Sequence, residues 1–375
     1  MKNEFIPVCE PFLNGNEEKY VTEAVRSTWI SSAGKYISRF EDAFADYLNV
    51  KHAIAVTNGT NALHLALVSL GIGEGDEVII PDFTMIASAF AVTYCGAKPV
   101  FIDSEDATWN IDTALIESKI TEKTKAIMPV HIWGHPVDME VIWALAKKYN
   151  LKIIEDAAEA HGAEYEGAKC GNLGDIASFS FFANKIATSG EGGMVVTNDD
   201  DLADKCRYYK NLCFPLDGPR NYKHNDIGFN YRMSNLHAAI GLAQVEKLDL
   251  YVQKRQENHS LYLEYLTNVP GITFQIEKPW AKNVYWMNGV LIDEEKFGMD
   301  RNTLMVKLRE EGIDTRLFFV GMHKQMSLQK FGCDVAGDYP VSRYLENNGM
   351  YLPSGSGLTK SQIKRISDAI IQLHK

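Results

Sequence analysis

Long apolar runs are missing from this 375-residue chain. No window approaches the roughly 20 uninterrupted apolar residues that a membrane-spanning helix needs. The start, MKNEFIPVCEPFLNGNEE, has no apolar core of signal-peptide length and carries acids early, so neither anchoring nor secretion is expected, and the compartment read from the sequence is the cytoplasm. Basic charge is scarce as well. The 38 Lys and Arg against 49 Asp and Glu leave a formal charge of −11, which repels a phosphate backbone, and no local basic stripe offsets it. Nucleic acid is therefore not an expected partner. The six cysteines (Cys9, Cys95, Cys170, Cys206, Cys213, Cys333) are widely spaced with no CxxC pair, which argues against a disulfide framework or a zinc site and leaves reduced thiols. With 12 prolines, 28 glycines, 46% hydrophobic and 23% charged residues, the chain falls outside the disordered and fibrous classes.

What is present is length for a large domain and a smaller one, since the chain runs to more than twice the ~150-residue domain prior. From about residue 50 to 200 short β-branched apolar runs alternate with helical stretches. Strands are expected at 52–57, 77–81, 98–103, 125–130, 152–156, 177–182 and 193–197, with helices at 60–71 and 138–149. Seven strands so interleaved predict a large, mostly parallel sheet covered by helices. Beyond a helix near 234–248 the pattern changes to a long amphipathic stretch at 249–268, strands near 272–276 and 286–292, and helices near 301–312 and 359–374, which reads as a smaller α+β domain. The boundaries expected are an N-terminal arm at 1–25 packing with the small domain, a large domain at 26–245 and a small domain at 246–375. The loop 211–228, rich in Pro, Gly, Asn and charge, is long enough to suggest a functional role.

Ligands of open parallel sheets collect beyond the carboxyl ends of the strands, and three such ends are unusual here. Asn58-Gly59-Thr60 opens a helix, where free N–H groups and the helix dipole suit an anion such as phosphate; an ordinary cap by Asn58 or Thr60 is the alternative. Only Gly59 stands in that turn, so the G-x-G-x-x-G of a dinucleotide site is absent. Glu155-Asp156-Ala157-Ala158-Glu159 places acids after an apolar strand, where a carboxylate can stabilise a protonated ring nitrogen or can simply cap a following helix. Lys185 follows the aromatic run Ser178–Phe182 and precedes Ser189-Gly190-Glu191-Gly192-Gly193; near the interior it is an amine nucleophile of the Schiff-base kind, and at the rim it is an ordinary solvated lysine. Together an amine, an acid for a pyridinium and an anion cup with Ser180 close by are the groups that pyridoxal 5′-phosphate requires. His131 and His135 have ligand-like spacing, yet they follow a strand without carboxylate or thiolate partners, so no metal is expected.

The strings TNGTNALHLAL, GDEVIIPDFT, IIEDAAEAHGAEYEG, GDIASFSFFANKIATSGEGGMVVTNDDDLADK and IGFNYRMSNLHAAIGLAQVEKLD resemble the DegT/DnrJ/EryC1/StrS family of sugar aminotransferases, and within it the GDP-perosamine synthase group. The resemblance runs from about residue 5 to the C-terminus. It implies the aspartate aminotransferase fold (PLP fold type I) and a homodimer with active sites at the subunit interface. It implies Lys185 as the lysine joined to the cofactor and moving the proton, Asp156 beneath the pyridine nitrogen and Glu159 near the ring hydroxyl. Gly59, Thr60 and Ser180 become phosphate donors, and Asn230 reaches the phosphate from the partner subunit. Retention of Lys185 favours transamination over the dehydratase branch, which carries histidine there. Met85 stands where relatives stack an aromatic residue on the ring; it either covers the ring with its thioether or is a plain core methionine. Trp29 and Ser31 resemble the substrate-lining segment, Arg232 is a candidate for the amino donor's carboxylate or for a structural ion pair, and His323 aligns with a histidine approaching the sugar, with a surface histidine as the alternative.

The implied activity is amino transfer from L-glutamate, with release of 2-oxoglutarate, to a nucleotide-linked 4-keto-6-deoxy sugar in amino-sugar biosynthesis for surface polysaccharide such as O-antigen. Another ketosugar, a small phosphorylated ketone, or a non-catalytic PLP-binding regulator are the readings it competes with.

Overall fold

The computed structural model describes residues 4–217 and 222–374. Residues 218–221 of the long polar loop, and the first three residues of the arm, lie outside the described set. The β-branched runs of the first half form β1 (His52–Val56), β2 (Glu77–Pro81), β3 (Lys98–Ile102), β4 (Thr124–Ile127) and β5 (Lys152–Asp156). A two-residue pair, β6 (Glu164–Tyr165) and β7 (Ala168–Lys169), precedes β8 (Ile176–Ser180) and β9 (Gly193–Thr197). Seven of these make one sheet in the order β1-β9-β8-β5-β4-β2-β3. The ladder from β8 to β3 is parallel, and β9 runs antiparallel to both β1 and β8. The expected α/β sheet is thus present.

Side chains of a strand alternate between faces, and both faces here are apolar because helices cover each. Ile54, Val56, Val78, Ile80, Ile154 and Val195 pack into one cluster, while Ala53, Ala55, Ile79, Ile153, Phe179 and Val196 belong to the other. In the first half of the chain the helices are α1 (Glu17–Arg26), α2 (Lys35–Leu48), α3 (Gly59–Ser69), α4 (Ile86–Tyr94), the single turn α5 (Thr113–Ile116) and α6 (Met139–Tyr149); α7 (Asp200–Lys210), α8 (Asn235–Val245) and α9 (Leu248–Leu266) follow. Helix α3 is apolar around most of its circumference, as its buried position demands.

Two strands are shorter than their apolar runs. The run at 125–130 leaves the ladder after Ile127, where Pro129 supplies no N–H, and the run at 177–182 leaves it after Ser180, where Phe181 N–H turns to Gly192 O at 2.8 Å. Both departures occur at carboxyl ends of the sheet, and that edge carries the site.

In the C-terminal part β10 (Ile272–Phe274), β11 (Ala281–Lys282), β12 (Asn288–Ile292), β13 (Arg316–Leu317) and β14 (Gly349–Leu352) follow. Four of them form an antiparallel sheet ordered β10-β12-β14-β13, and β11 joins β6 and β7. A third apolar cluster fills the space between this sheet, α9 and the helix Lys360–Leu373, with Tyr262, Val290, Ile292, Met350 and Ile366 at its centre. The strands β13 and β14 were not anticipated: one has two exposed residues, and the other adjoins a Pro-Ser-Gly-Ser-Gly stretch that reads as loop. Residues 4–14 do not form an independent unit. Ile6 exchanges backbone bonds with Gly312 and Asp314, and Ser354 N–H donates to Val8 O at 2.8 Å.

Candidate active site

At the carboxyl end of the large sheet lies a cavity of about 550 Å³, bordered by the turn before α3, the segments after β2, β5 and β8, and side chains from the C-terminal sheet region. Gly59, Thr60, Met85, Asp156, Glu159, Ser180 and Lys185, which stand up to 126 residues apart in sequence, all line it.

The anion cup is built by the first turn of α3. Asn58 Oδ1 accepts the Asn61 N–H at 2.8 Å, so the capping role weighed for Asn58 is real. It leaves the Gly59 and Thr60 N–H groups, which have no intrahelical acceptor, facing outward from the helix start. Capping and anion binding are therefore compatible here. Gly59 is required by crowding, because a Cβ would come within 2.8 Å of Ser180 Cβ; one at Gly193 would come within 2.3 Å of Asn58 O.

Asp156 ends β5. Its Oδ2 accepts from Ser88 Oγ at 2.7 Å, Ser88 in turn meets Thr84 Oγ1 at 3.1 Å, and Oδ1 takes the Ala158 N–H at 3.2 Å. No helix follows Asp156, since residues 157–162 form turns, so the helix-cap alternative fails. Burial pushes its carboxyl above the usual range, against the pull of Ser88, the Ala158 N–H and the Lys185 charge. An acid in that setting with a buried cation for company remains an anion, and a protonated ring nitrogen is such a cation.

Lys185 is not a rim lysine. Its side chain is 11% exposed, and Nζ lies 3.9 Å from Glu159 Oε1 and 3.7 Å from the centre of the Trp286 ring. Burial lowers its pKa, with Glu159, Asp156 and Cys9 opposing. Burial likewise pushes Glu159 up to about 7. Its other oxygen takes the Trp133 N–H at 2.9 Å, from a buried tryptophan in the left-handed region (φ 57°) that non-glycine residues seldom occupy.

Met85 is 51% exposed at the cavity border, so it is not a core methionine. Five other candidates lie elsewhere on this chain. Asn230 is exposed and pairs with Asn211 in an isolated bridge; Trp29 and Ser31 are exposed and are tied through their carbonyls to Asn235. Arg232 donates to Asn211 Oδ1 at 2.7 Å, and among the described residues it has no acid in an ion pair and its buried Nε has no partner. His323 is not a surface histidine: its backbone N and Nδ1 each meet the buried Asp82 carboxylate at 2.8 Å, and its ring stacks on Tyr339.

The histidine pair needs a correction. His131 does have a carboxylate and a thiol nearby, because the ligand atoms of His131, Glu155 and Cys170 lie within 4.8 Å of one another. The Glu155 oxygens are occupied, accepting from Gly171, Leu173 and Gly174 N–H at 2.7, 2.7 and 2.8 Å and meeting His131 Nε2 at 3.1 Å. His131 Nδ1 accepts from Val137 N–H. The cluster braces the turn before β8, with the Glu155 oxygens and both His131 ring nitrogens already engaged.

Sequence reasoning missed Trp286, Tyr351 and Phe319, which enter the cavity from the C-terminal third, and Ser88 beneath Asp156. A buried serine in the apolar helix IASAFAVTY is a signal for the last; nothing in local spacing marks the others. The donor set fits pyridoxal 5′-phosphate: uncapped N–H groups and hydroxyls for a phosphate, a buried carboxylate for a ring nitrogen and an unbonded amine for an aldehyde.

The chain matches the DegT/DnrJ/EryC1/StrS aminotransferase family over residues 11–371. It is 46% identical over 372 residues to a GDP-perosamine synthase of Caulobacter vibrioides, covering 98% of each chain, and 44% identical to one of Escherichia coli O157:H7, covering 99% of each. The crystal structure of S. venezuelae DesV superposes with a TM-score of 0.88 at 33% identity, covering 95% of this chain and 94% of that one. Among the described residues no helix is long and apolar enough to cross a membrane. With its site shaped for pyridoxal 5′-phosphate, this chain belongs to the DegT/DnrJ/EryC1/StrS aminotransferase family and is a PLP-dependent aminotransferase.

Proposed function

We propose that the enzyme moves the amino group of L-glutamate to the keto carbon of a GDP-linked 4-keto-6-deoxy sugar, a step of amino-sugar biosynthesis for surface polysaccharide. The substrate rests on the identity to the two GDP-perosamine synthases. The chemistry rests on one observation, the buried Lys185 amine between Glu159 and Trp286 in the cavity that Asp156 and the α3 N-terminus share. Both co-substrates are charged and membrane-impermeant, which favours the cytoplasm.

When bound, pyridoxal 5′-phosphate supplies an electron sink and carries the amino group between half-reactions. Gly59, Thr60 and Ser180 would hold its phosphate, and Asp156 would keep the ring nitrogen protonated. With the cofactor bound, Lys185 Nζ would take the α proton of glutamate and deliver a proton to the cofactor's aldehyde carbon, and in the second half would run the same transfers in reverse on the ketosugar. A burial-lowered pKa suits an amine that must both accept and release a proton. Met85 offers a soft apolar surface to the ring.

A homodimer completes the reading. Met85, Tyr94 and Phe182 leave large apolar surface at the cavity mouth, as expected where a second copy docks. Asn230, Trp29 and Ser31, exposed on this chain, would serve the partner's cavity. The chain would then divide into an arm (1–25), a cofactor domain (26–245) and a small domain (246–375) that closes over the cavity.

The test is turnover of holoenzyme with L-glutamate and GDP-4-keto-6-deoxymannose, read as 2-oxoglutarate and the GDP-aminosugar by mass spectrometry. Parallel initial-rate lines are expected from two half-reactions. Turnover of a TDP-ketosugar or a phosphorylated ketone but not the GDP-sugar would overturn the substrate, and a Lys185→Ala protein that still turned over would overturn the role of the lysine.

A further inference from the structure

Nothing in the established chemistry accounts for Trp286. We propose that Trp286 is the positioning residue for Lys185: its indole face carries the ammonium, and its N–H fixes the peptide carbonyl immediately before that lysine. The inference rests on the reading of Lys185 as the proton-moving amine.

The two contacts are made by one side chain. Nζ stands 3.7 Å from the ring centroid, well inside the roughly 6 Å over which an aromatic face attracts a cation, tryptophan most strongly. Nζ makes no hydrogen bond among the described residues, and Glu159 Oε1 at 3.9 Å is beyond hydrogen-bond length. The indole N–H meanwhile donates to Asn184 O at 2.8 Å.

The ring cannot swing aside. The stack on Trp133 at 5.6 Å and the indole N–H bond to Asn184 O hold the ring itself, while the Trp286 backbone N–H donates to Trp133 O at 2.8 Å and its carbonyl accepts from Arg255 Nη1 at 2.7 Å, fixing the backbone that carries it. Arg255 is itself fully buried and is held by Ser356 Oγ at 2.9 Å. This rigidity matters in the stage when the lysine is free of the cofactor. A carboxylate in direct contact would lock the amine as an ion pair, whereas a ring face attracts the charge and accepts no proton. The other groups facing the amine are Asp156 at the end of β5, Glu159 and His161 after it, Cys9 from the N-terminal stretch and Tyr351 of β14. Burial and the two acids act on Lys185 in opposite directions, and the indole adds support without a net charge.

The experiment uses cofactor-free protein grown with tryptophan, 5-fluorotryptophan or tetrafluorotryptophan. Fluorine drains the ring face while nearly preserving its shape. Acylation of Lys185 by acetic anhydride is followed against pH by peptide mass spectrometry, which reads the titration midpoint of that amine alone. The midpoint should fall in step with fluorine content, by on the order of half to one pH unit for the tetrafluoro protein. The same series in a Trp286→Phe background should be flat. A flat series with Trp286 present, or a shift that persists in Trp286→Phe, overturns the ring contact. For the N–H contact, Trp286→Phe should lower kcat several-fold with the KM for glutamate unchanged; unchanged kcat overturns it. Undiminished turnover by Lys185→Ala would remove the catalytic reading and leave the titration result standing, so the two failures are separable.

Discussion

Glu159 is the group whose charge state the fold disturbs most usefully. Burial raises its carboxyl to about 7, so between the unfolded value near 4.5 and that point the folded protein binds a proton that the unfolded chain has released. Stability from this group is full below pH 4.5 and is lost as pH rises through 7. We expect Glu159→Gln to flatten that part of the profile in cofactor-free protein, with a gain on the order of 2–3 kcal/mol at pH 8 relative to the parent's own change from pH 4.5. Urea midpoints at the two pH values measure it, and a parallel fall in parent and variant would show that Glu159 is not the group concerned. Asp156, also raised by burial, was readable from its place after an apolar strand. Trp286 was not, because nothing in NVYWMNG announces a neighbour 101 positions earlier.

A helix start, a strand end and a glycine-rich turn would supply the proposed cofactor contacts, and the close approach of α3 to β8 brings them together at one cavity. Gly59→Ala inserts a Cβ 2.8 Å from Ser180 Cβ, and neither neighbour can yield without moving the α3 start or β8. The expected result is a loss of cofactor affinity of tenfold or more with a smaller change in Tm, checked by fluorescence titration of the cofactor-free protein; wild-type affinity would mean that the phosphate is held elsewhere. The β-branched runs and the helical spacing that follows them were legible because their periods, 2 and 3.6, are local properties of the chain. Strand ends were not, since the strands stop at Ile127 and Ser180 while the apolar runs continue, and the next backbone bonds, Asp156 N–H to Pro129 O and Phe181 N–H to Gly192 O, are set by neighbouring segments of the sheet. The short β13 and β14 exist through pairing with β12 and with each other, and their own residues carry no strand pattern.

On a single chain the cavity is open at Met85, Tyr94 and Phe182, and Asn230 points to no part of it. The dimer reading predicts subunit complementation. Lys185→Ala and Asn230→Ala proteins, each impaired alone, should recover activity when unfolded together and refolded, because mixed dimers regain one site with both residues from unmutated copies. Recovery near a quarter of wild type is expected, on the order set by half of the dimers being mixed with one of two sites intact. No recovery, with dimers confirmed by sedimentation, would place Asn230 in its own subunit's site.

Read alone, the sequence determined the α/β class, the seven core strands and the three strand ends that carry Asp156, Lys185 and the Gly59 turn, because each is written in consecutive residues whose periodicity and polarity act over a few ångströms. Only the tertiary structure decided that these ends converge on one cavity, that Lys185 is dry, that His131 meets Glu155 and that Trp286 lies against the amine. Those facts depend on sheet order and on crossings between segments distant in the chain, and burial, which sets the charge of Lys185 and Glu159, exists only once those segments have packed.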